Sequence, residues 1–253
     1  MKLYILTEDT AIPGFEKEHG LSIYFEKDGK KFLFDTGQSG MFMRNAKKLN
    51  LDLNDIDYLI LSHGHYDHTD GLKFINIPKK TKIICHPLCI KPKYYGKKYI
   101  GFPDVKLNID VSEGMTKLSN NVCFLGQIPG DRKRSLGEVA DNNERKKDFL
   151  LDDTGIAITE DDNLIVIVGC AHSGIVNITK YAISKFPRKK VYVIGGFHMN
   201  DLAKSEIEKV IMQLDEIGVS DVYPGHCTGE DAIATILGHF SGSRLSAGKQ
   251  IDI

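Results

Sequence analysis

Four side chains of metal-binding types occupy six consecutive positions, in the segment His63-Gly64-His65-Tyr66-Asp67-His68. The segment follows an apolar run at residues 57–62 that predicts a buried strand, so the loop after it can wrap its side chains around one point. Imidazole and carboxylate groups suit Zn, Mn, Fe or Co. The spacing is compatible with two neighbouring sites, one formed by His63 and His65 and the other by Asp67 and His68. A turn rich in histidine by chance is the alternative, and the clustering of four such residues argues against it.

Three further histidines follow predicted strands in the second half of the chain. His172 comes after residues 164–169, His198 after 190–195 and His226 after 221–223. A single histidine of this kind is more often structural than a ligand. All three, however, lie at the carboxyl end of a strand, which is where open α/β sheets place their ligand crevice.

The elements that must position these histidines are short apolar strands and amphipathic helices. Strands are predicted at residues 2–7, 21–26, 31–35, 57–62, 82–86, 122–127, 155–159, 164–169 and 190–195. Helices are predicted at residues 40–49, 174–186, 201–217 and 232–240. No Pro/Gly/Ser linker separates the two halves, so we expect one layered α/β domain over residues 1–253. The polar segment 129–153 is predicted to be a surface insertion, either a lid or partly disordered.

Composition excludes several classes of protein. The 253 residues are 26% charged and 42% hydrophobic, which is typical of a folded soluble protein. Thirty-three basic and 34 acidic residues give a net charge of −1, so the chain has no overall positive charge to attract nucleic acid or anionic membranes. No apolar stretch approaches the ~18 residues of a transmembrane helix, and five cysteines at irregular spacings do not form a disulfide framework. We therefore expect a cytoplasmic protein that acts on a small molecule, with its oligomeric state left open.

Taken together, these motifs resemble the metallo-β-lactamase-fold superfamily, and the resemblance covers nearly the whole chain. It implies an αββα sandwich with a metal site at one edge, between two similar halves. The segment Phe34-Asp35-Thr36-Gly37 is similar to the family element whose Asp supports the metal loop from behind. By the same resemblance two divalent cations are bound, with Zn favoured over Mn, Fe, Co or Mg. One cation would be held by His63, His65 and His172, and the other by Asp67, His68 and His226.

One segment departs from the family pattern. Many members carry a bridging Asp where this chain has Gly195-Gly196-Phe197-His198. The resemblance then leaves two roles open for His198, as a metal ligand or as a contact to the substrate.

A narrower resemblance points to the dihydropterin-ribofuranosylaminobenzene-phosphate synthases of methanopterin biosynthesis. It is carried by Glu18-His19-Gly20-Leu21-Ser22, Gly169-Cys170-Ala171-His172-Ser173-Gly174 and Gly225-His226-Cys227-Thr228-Gly229, together with the motifs above. It implies condensation of a dihydropterin diphosphate with an arylamine phosphate and release of diphosphate, with Asp67 and His198 as catalytic residues. The chain has Asp70 where this subgroup is expected to have Gly.

Three other functions would be compatible with this fold. A metallo-hydrolase of a phosphoester, lactone or thioester would use a metal-bound hydroxide that Asp67 orients. A di-iron oxidoreductase of this fold would carry Glu at the position of His65, and a non-enzymatic protein on a degenerate scaffold would lack some of the six ligands. The hydrolase is therefore the main alternative.

Candidate substrate contacts are less specific. The segment 91–99 combines four Lys with three Tyr, and we select Lys93 and Tyr94 from it as groups that could bind phosphate and stack on a heterocycle. His86, at a strand end, and Arg132, in a basic run, are the other two candidates. A solvated loop is the alternative for both the Lys/Tyr segment and the basic run.

The remaining cysteines and histidines are given no chemical role. Cys170 and Cys227 each neighbour a predicted ligand, and we expect them to be small packing residues. His19 and His239 are expected to be non-ligands.

Overall fold

All nine predicted strands are present in the structure, a computed structural model that describes residues 1–130, 135–141 and 144–253. The strands are β1 (Lys2–Thr7), β2 (Ser22–Lys27), β3 (Lys30–Phe34), β4 (Tyr58–Ile60), β5 (Lys82–Cys85), β6 (Lys93–Tyr95), β7 (Lys98–Tyr99), β8 (Ile109–Val111), β9 (Thr116–Lys117), β10 (Val122–Phe124), β11 (Glu138–Asp141), β12 (Glu144–Lys147), β13 (Gly155–Glu160), β14 (Asn163–Val168), β15 (Lys190–Gly196), β16 (Val219–Gly225), β17 (Ser241–Gly242) and β18 (Gln250–Asp252). The helices are α1 (Met41–Lys48), α2 (Tyr66–Thr69), α3 (Ile175–Lys185), α4 (Lys204–Glu216) and α5 (Glu230–Leu237).

Two seven-stranded sheets face each other across a common core. Their strand orders are β18-β1-β2-β3-β4-β5-β8 and β17-β16-β15-β14-β13-β10-β9. Phe25, Phe32 and Phe34 of the first sheet lie in the same buried cluster as Ile165 and Ile167 of the second. Successive side chains of a strand point to opposite faces, so β14 can serve two cores at once.

Helices cover the outer faces of both sheets. The alternate residues of β14, Val166 among them, pack with Ile178 of α3 and Ile211 of α4. On the other side, Phe42 of α1 packs with Leu59 of β4. The predicted αββα sandwich is therefore confirmed. Within the described ranges, no helix combines the length and the apolarity needed to cross a membrane.

The sheet topology brings the predicted site residues to one edge. Strands β3, β4 and β5 run parallel to one another, and so do β14, β15 and β16. The carboxyl ends of parallel strands meet at the same edge of a sheet. The loops that carry the metal-binding residue types all leave from these ends.

The polar segment 129–153 is more regular than expected in its described part. Strands β11 and β12 form an antiparallel hairpin, and β11 also pairs with β6. Together with β7 they form a separate four-stranded sheet of order β12-β11-β6-β7. Arg132, a predicted substrate contact in this segment, lies outside the described residues.

Candidate metal centre

Two groups of donor side chains meet at the sheet edge. Within each group the ligand atoms lie within 4.8 Å of one another. The first group consists of His63, His65 and His172, and the second of Asp67, His68, Cys170 and His226. The structure thus brings together all six residues predicted as metal ligands and adds one thiol that was not.

Two imidazole nitrogens of the first group are buried without a hydrogen-bond partner among the described residues. His63 Nε2 lies 3.0 Å from His65 Nδ1. The Nε2 atoms of His65 and His172 are buried and have no hydrogen-bond partner in the described structure. Buried polar atoms are normally paired, and imidazole nitrogen is the commonest metal-binding group in proteins. The donor set therefore fits a divalent cation.

The second group is more acidic and equally compact. His68 Nε2 lies 3.2 Å from His226 Nε2, and Asp67 Oδ2 lies 3.5 Å from the first and 3.3 Å from the second of these atoms. Two nitrogens and a carboxylate oxygen that converge in this way match the ligands zinc prefers.

Carboxylates behind the rings fix the orientation of the second group. Asp35 Oδ2 lies 2.7 Å from His68 Nδ1 and also accepts from Ser62 Oγ, while Asp35 Oδ1 accepts from Ser62 N. Asp9 Oδ1 lies 2.8 Å from His226 Nδ1. Such outer bonds set the tautomer and direct Nε2 towards the metal position.

His19 lies closer to the site than the sequence suggested. Its Nε2 is 3.3 Å from Asp67 Oδ2 and its Nδ1 is 2.8 Å from Asp9 Oδ2, and its ring lies 4.7 Å from the ring of His226. Asp9 and His19 lie ten residues apart in the loop between β1 and β2, outside the metal motif, so only the fold reveals that both reach the site. His19 joins the site as a missed candidate.

Burial and neighbouring charges set the protonation of these groups. Burial, together with the surrounding imidazoles, holds the pKa values of His63 and His172 well below the ordinary histidine value. Burial lowers the pKa of His65 to about 4. Their lone pairs are consequently available near pH 7, as metal binding requires. For Asp67, burial favours protonation, but His68 and His226 outweigh it and hold its pKa well below the usual range.

The backbone at the strand ends is strained. Asp35, Ala171, His198 and His226 have φ values of 56°, 50°, 49° and 48°. Few residues other than glycine adopt this left-handed region, and each instance costs of order 1–3 kcal/mol. All four residues belong to the donor groups or lie close to them, so the backbone strain is concentrated at the candidate metal centre.

His198 stands between two cavities. A cavity of about 340 Å³ is lined by residues of both donor groups, including Asp67, and by Lys98. A second, mainly apolar cavity of about 460 Å³ is lined by Phe197 and Lys180 among others. His172 and His198 line both. The ring of His198 lies 4.4 Å from that of His172, and His198 is absent from the converging donor groups. This position favours substrate contact over ligation.

Lys93 does not face the site as predicted. Its side chain is completely buried, and its Nζ donates to Asp148 Oδ2 at 2.6 Å and to Asp152 Oδ1 at 2.9 Å. Asp152 Oδ2 in turn accepts from Gly64 N at 2.8 Å. Lys93 therefore stabilises the backbone of the metal loop through Asp152. Lys98 lines the cavity instead.

Tyr94 and His86 also have structural partners. The ring of Tyr94 packs against Tyr99 and lies under the guanidinium of Arg145, 3.6 Å from its ring centroid, while the next residue, Tyr95, lines the cavity. His86 is buried, its Nδ1 accepts from Leu88 N, and its Nε2 lies 3.3 Å from Gln127 Oε1. Neither residue lines the two cavities described above, so neither is placed as a substrate contact.

Gly169 provides a test of packing behind the metal loop. A Cβ there would lie 2.1 Å from Ser62 Oγ and 3.2 Å from Asp35 Oδ2. We expect Gly169→Ala to lower the free energy of unfolding by about 1–3 kcal/mol, the usual cost of overpacking. Urea denaturation measures it. Gly114→Ala is the control, since a Cβ at Gly114 meets nothing within 4 Å, and equal losses in the two variants would contradict the prediction.

Comparison with known proteins gives a consistent result. The family model described as the metallo-beta-lactamase superfamily matches residues 17–181. A 7,8-dihydropterin-6-methyl-4-(beta-D-ribofuranosyl)-aminobenzene-5'-phosphate synthase of Methanocaldococcus jannaschii is 33% identical over 283 residues, covering 99% of this chain and 96% of that protein. An uncharacterized protein of the same organism is 31% identical over 245 residues, covering 92% of each.

Solved structures agree with the sequence comparisons. The crystal structure of Tm1679, described as a metal-dependent hydrolase of the beta-lactamase superfamily, matches with a TM-score of 0.87 and 32% identity, covering 100% of this chain and 99% of that one. Zn(2+)-bound PqqB from Methylobacterium extorquens matches over the full length of both chains with a TM-score of 0.57 and 11% identity, which is a likeness of fold alone.

Proposed function

This chain belongs to the metallo-beta-lactamase superfamily, and on that premise we propose that it is a metal-dependent transferase of the dihydropterin-synthase type. The reaction would join an arylamine phosphate to a dihydropterin diphosphate. The amine nitrogen would form a bond to the exocyclic methylene carbon, the carbon–oxygen bond to diphosphate would break, and the amine would lose a proton.

The observation that carries this proposal is the pair of cavities that share His172 and His198. A condensation needs two binding sites that meet at the reacting atoms. The cavity beside the donor groups has Lys98 and Tyr95 in its wall, which suit a phosphorylated group. The second cavity is about as apolar as the first, and with Phe197 and Met199 in its wall it suits an aromatic ring. Likeness to the synthase of Methanocaldococcus jannaschii over almost the whole chain supports the same reaction.

We assign two divalent cations to the centre, zinc in the first instance. His63, His65 and His172 would hold one, and Asp67, His68 and His226 the other. Bound cations would stabilise negative charge on phosphate oxygens and lower the pKa of bound water towards ~7.

The chain's own residues would accept the proton and hold the reacting groups in place. His198 lies between the cavities and is the residue we assign to accept the amine proton. Asp67 supplies a fixed negative charge to the facing imidazoles, and His19 lies beside it at the cavity wall. Asp35 and Asp9 hold the rings of His68 and His226 in place.

The second candidate is a metallo-hydrolase of a phosphoester, lactone or thioester. Likeness to Tm1679, which is described as a metal-dependent hydrolase, favours it. The same donor groups would serve that reaction, and exclusion of water from the cavity beside them would decide between the two.

Product analysis separates these candidates. The metal-replete protein is incubated with a dihydropterin diphosphate, with and without ribofuranosylaminobenzene phosphate, and the products are identified by mass spectrometry. We expect a coupled product and free diphosphate only when the arylamine is present, and neither product with His63→Ala. Pterin alcohol formed regardless of the arylamine would instead support the hydrolase, and absence of turnover would contradict the pterin substrate.

A further inference from the structure

Cys170 lies inside the second donor group. Its side chain is buried, and its Sγ is 3.1 Å from His68 Nε2. The donor atoms of Asp67, His68, Cys170 and His226 all lie within 4.8 Å of one another. A packing role, as expected from the sequence, does not require the sulfur to converge with three other metal-binding atoms.

Four of the six separations in this group are within about 0.5 Å of the edges of a coordination tetrahedron. Zinc binds nitrogen at about 2.0–2.1 Å and sulfur at about 2.3 Å, which places neighbouring ligand atoms about 3.3–3.6 Å apart. The edges measured here are 3.1 Å between His68 Nε2 and Cys170 Sγ, 3.2 Å between the two imidazole nitrogens, and 3.3 and 3.5 Å from Asp67 Oδ2 to those nitrogens. One cation could contact all four atoms without a large rearrangement.

The end of β15 has no room for a donor side chain at Gly196. A Cβ at Gly196, the last residue of β15, would lie 2.6 Å from Gly169 O and 2.8 Å from Cys227 Sγ. Both contacts are closer than real Cβ atoms make, so a side chain does not fit at this position. A fourth protein donor for the second site can therefore come only from another strand end, and Cys170 lies two residues after the end of β14.

We propose that Cys170, as a thiolate, is the fourth protein ligand of the second cation. The inference rests on the proposed metal centre. Binding would release the thiol proton to solvent, and a thiolate favours zinc or cobalt over magnesium. With four protein ligands on the second cation, the three-histidine group would be the one with a coordination position left for substrate or water.

Titration with cobalt tests the assignment without any enzymatic assay. We expect the wild-type protein to bind two equivalents of Co²⁺ and to show a thiolate-to-cobalt charge-transfer band in the near ultraviolet. Cys170→Ser should lose that band, and its affinity for the second equivalent should fall by at least about 10–100-fold, the range found when only an outer-shell partner of a ligand is removed. Cys123→Ser, which removes a buried thiol of β10 that belongs to neither donor group, is the matched control and should keep both properties.

X-ray absorption on the wild-type zinc protein gives a second measurement that does not depend on a variant. It should show a sulfur ligand at about 2.3 Å from zinc, in a proportion of one sulfur to two zinc ions. A band that persists in Cys170→Ser, or two bound cobalt ions without any sulfur ligand, would overturn this inference and leave the proposed function standing. A protein that takes up no cobalt would overturn both.

Discussion

Exchange of Asp67 for asparagine should lower turnover by at least about 10–100-fold, the loss found when only a hydrogen-bond partner of a metal ligand is removed. The carboxylate is buried, and its Oδ2 lies 3.3–3.5 Å from the Nε2 atoms of His19, His68 and His226. An amide of the same shape removes the negative charge that these rings face. The second cation should also bind more weakly. Steady-state kinetics on the substrate identified by product analysis and a zinc competition titration measure the two effects.

Asp70→Asn is the matched control for this exchange. Asp70 is three residues further along the chain, and its carboxylate pairs with Lys73 at 2.8 Å, away from the donor groups. Turnover should change by no more than about twofold, as for most surface substitutions. Equal losses of turnover in the two variants would contradict the prediction that activity depends on the negative charge at the donor groups.

Replacement of Lys93 by methionine should lower the free energy of unfolding by about 3–5 kcal/mol, because it leaves buried carboxylates without their partner. Asp148 and Asp152 are both buried against its ammonium. For Asp152, burial favours protonation, but the charge of Lys93 outweighs it and holds its pKa below the ordinary value. A depressed carboxyl pKa adds stability above the unfolded-state value and loses it as the pH falls through the folded-state value. The deficit of the variant should therefore be fully present at pH 7.

Two further variants separate charge from volume. Lys97→Met removes an exposed lysine from the turn between β6 and β7 and should change stability by no more than about 0.5 kcal/mol. Addition of Asp148→Asn and Asp152→Asn to Lys93→Met removes the unpaired charges and should restore part of the loss. A triple variant no more stable than Lys93→Met would contradict this explanation, and urea denaturation compares all of them.

The apolar elements could be predicted from the sequence because their burial is encoded locally. Strand β14 is a run of Leu, Ile and Val, and α4 carries Ile207, Ile211 and Leu214 on one face. The continuous apolar run of β14 predicts burial on both faces of the strand, and the apolar face of α4 predicts which side of the helix packs on a core. Strand ends also predicted that these histidines would meet at one edge, whereas their division into two ligand sets came from the family resemblance and stays a prediction.

The polar strands and the outer partners could not be predicted in the same way. β12, Glu-Arg-Lys-Lys, has exposed side chains throughout, and its pairing with β11 leaves no apolar pattern. Lys93 appeared to be a solvent or substrate residue because the carboxylates that neutralise it lie 55 and 59 residues away. The proximity of His19 to Asp67, and of Cys170 to His68, could not be predicted for the same reason, since tertiary contacts and not spacing determine it.

Metal stoichiometry tests the central claim most directly. The protein is loaded with zinc, freed of excess by gel filtration and analysed by inductively coupled plasma mass spectrometry, alongside His172→Ala and His226→Ala. The account predicts two zinc ions per wild-type chain and loss of about one from each variant, because each removes a ligand from a different group. A wild-type chain that retains no metal, or variants that retain both ions, would contradict it.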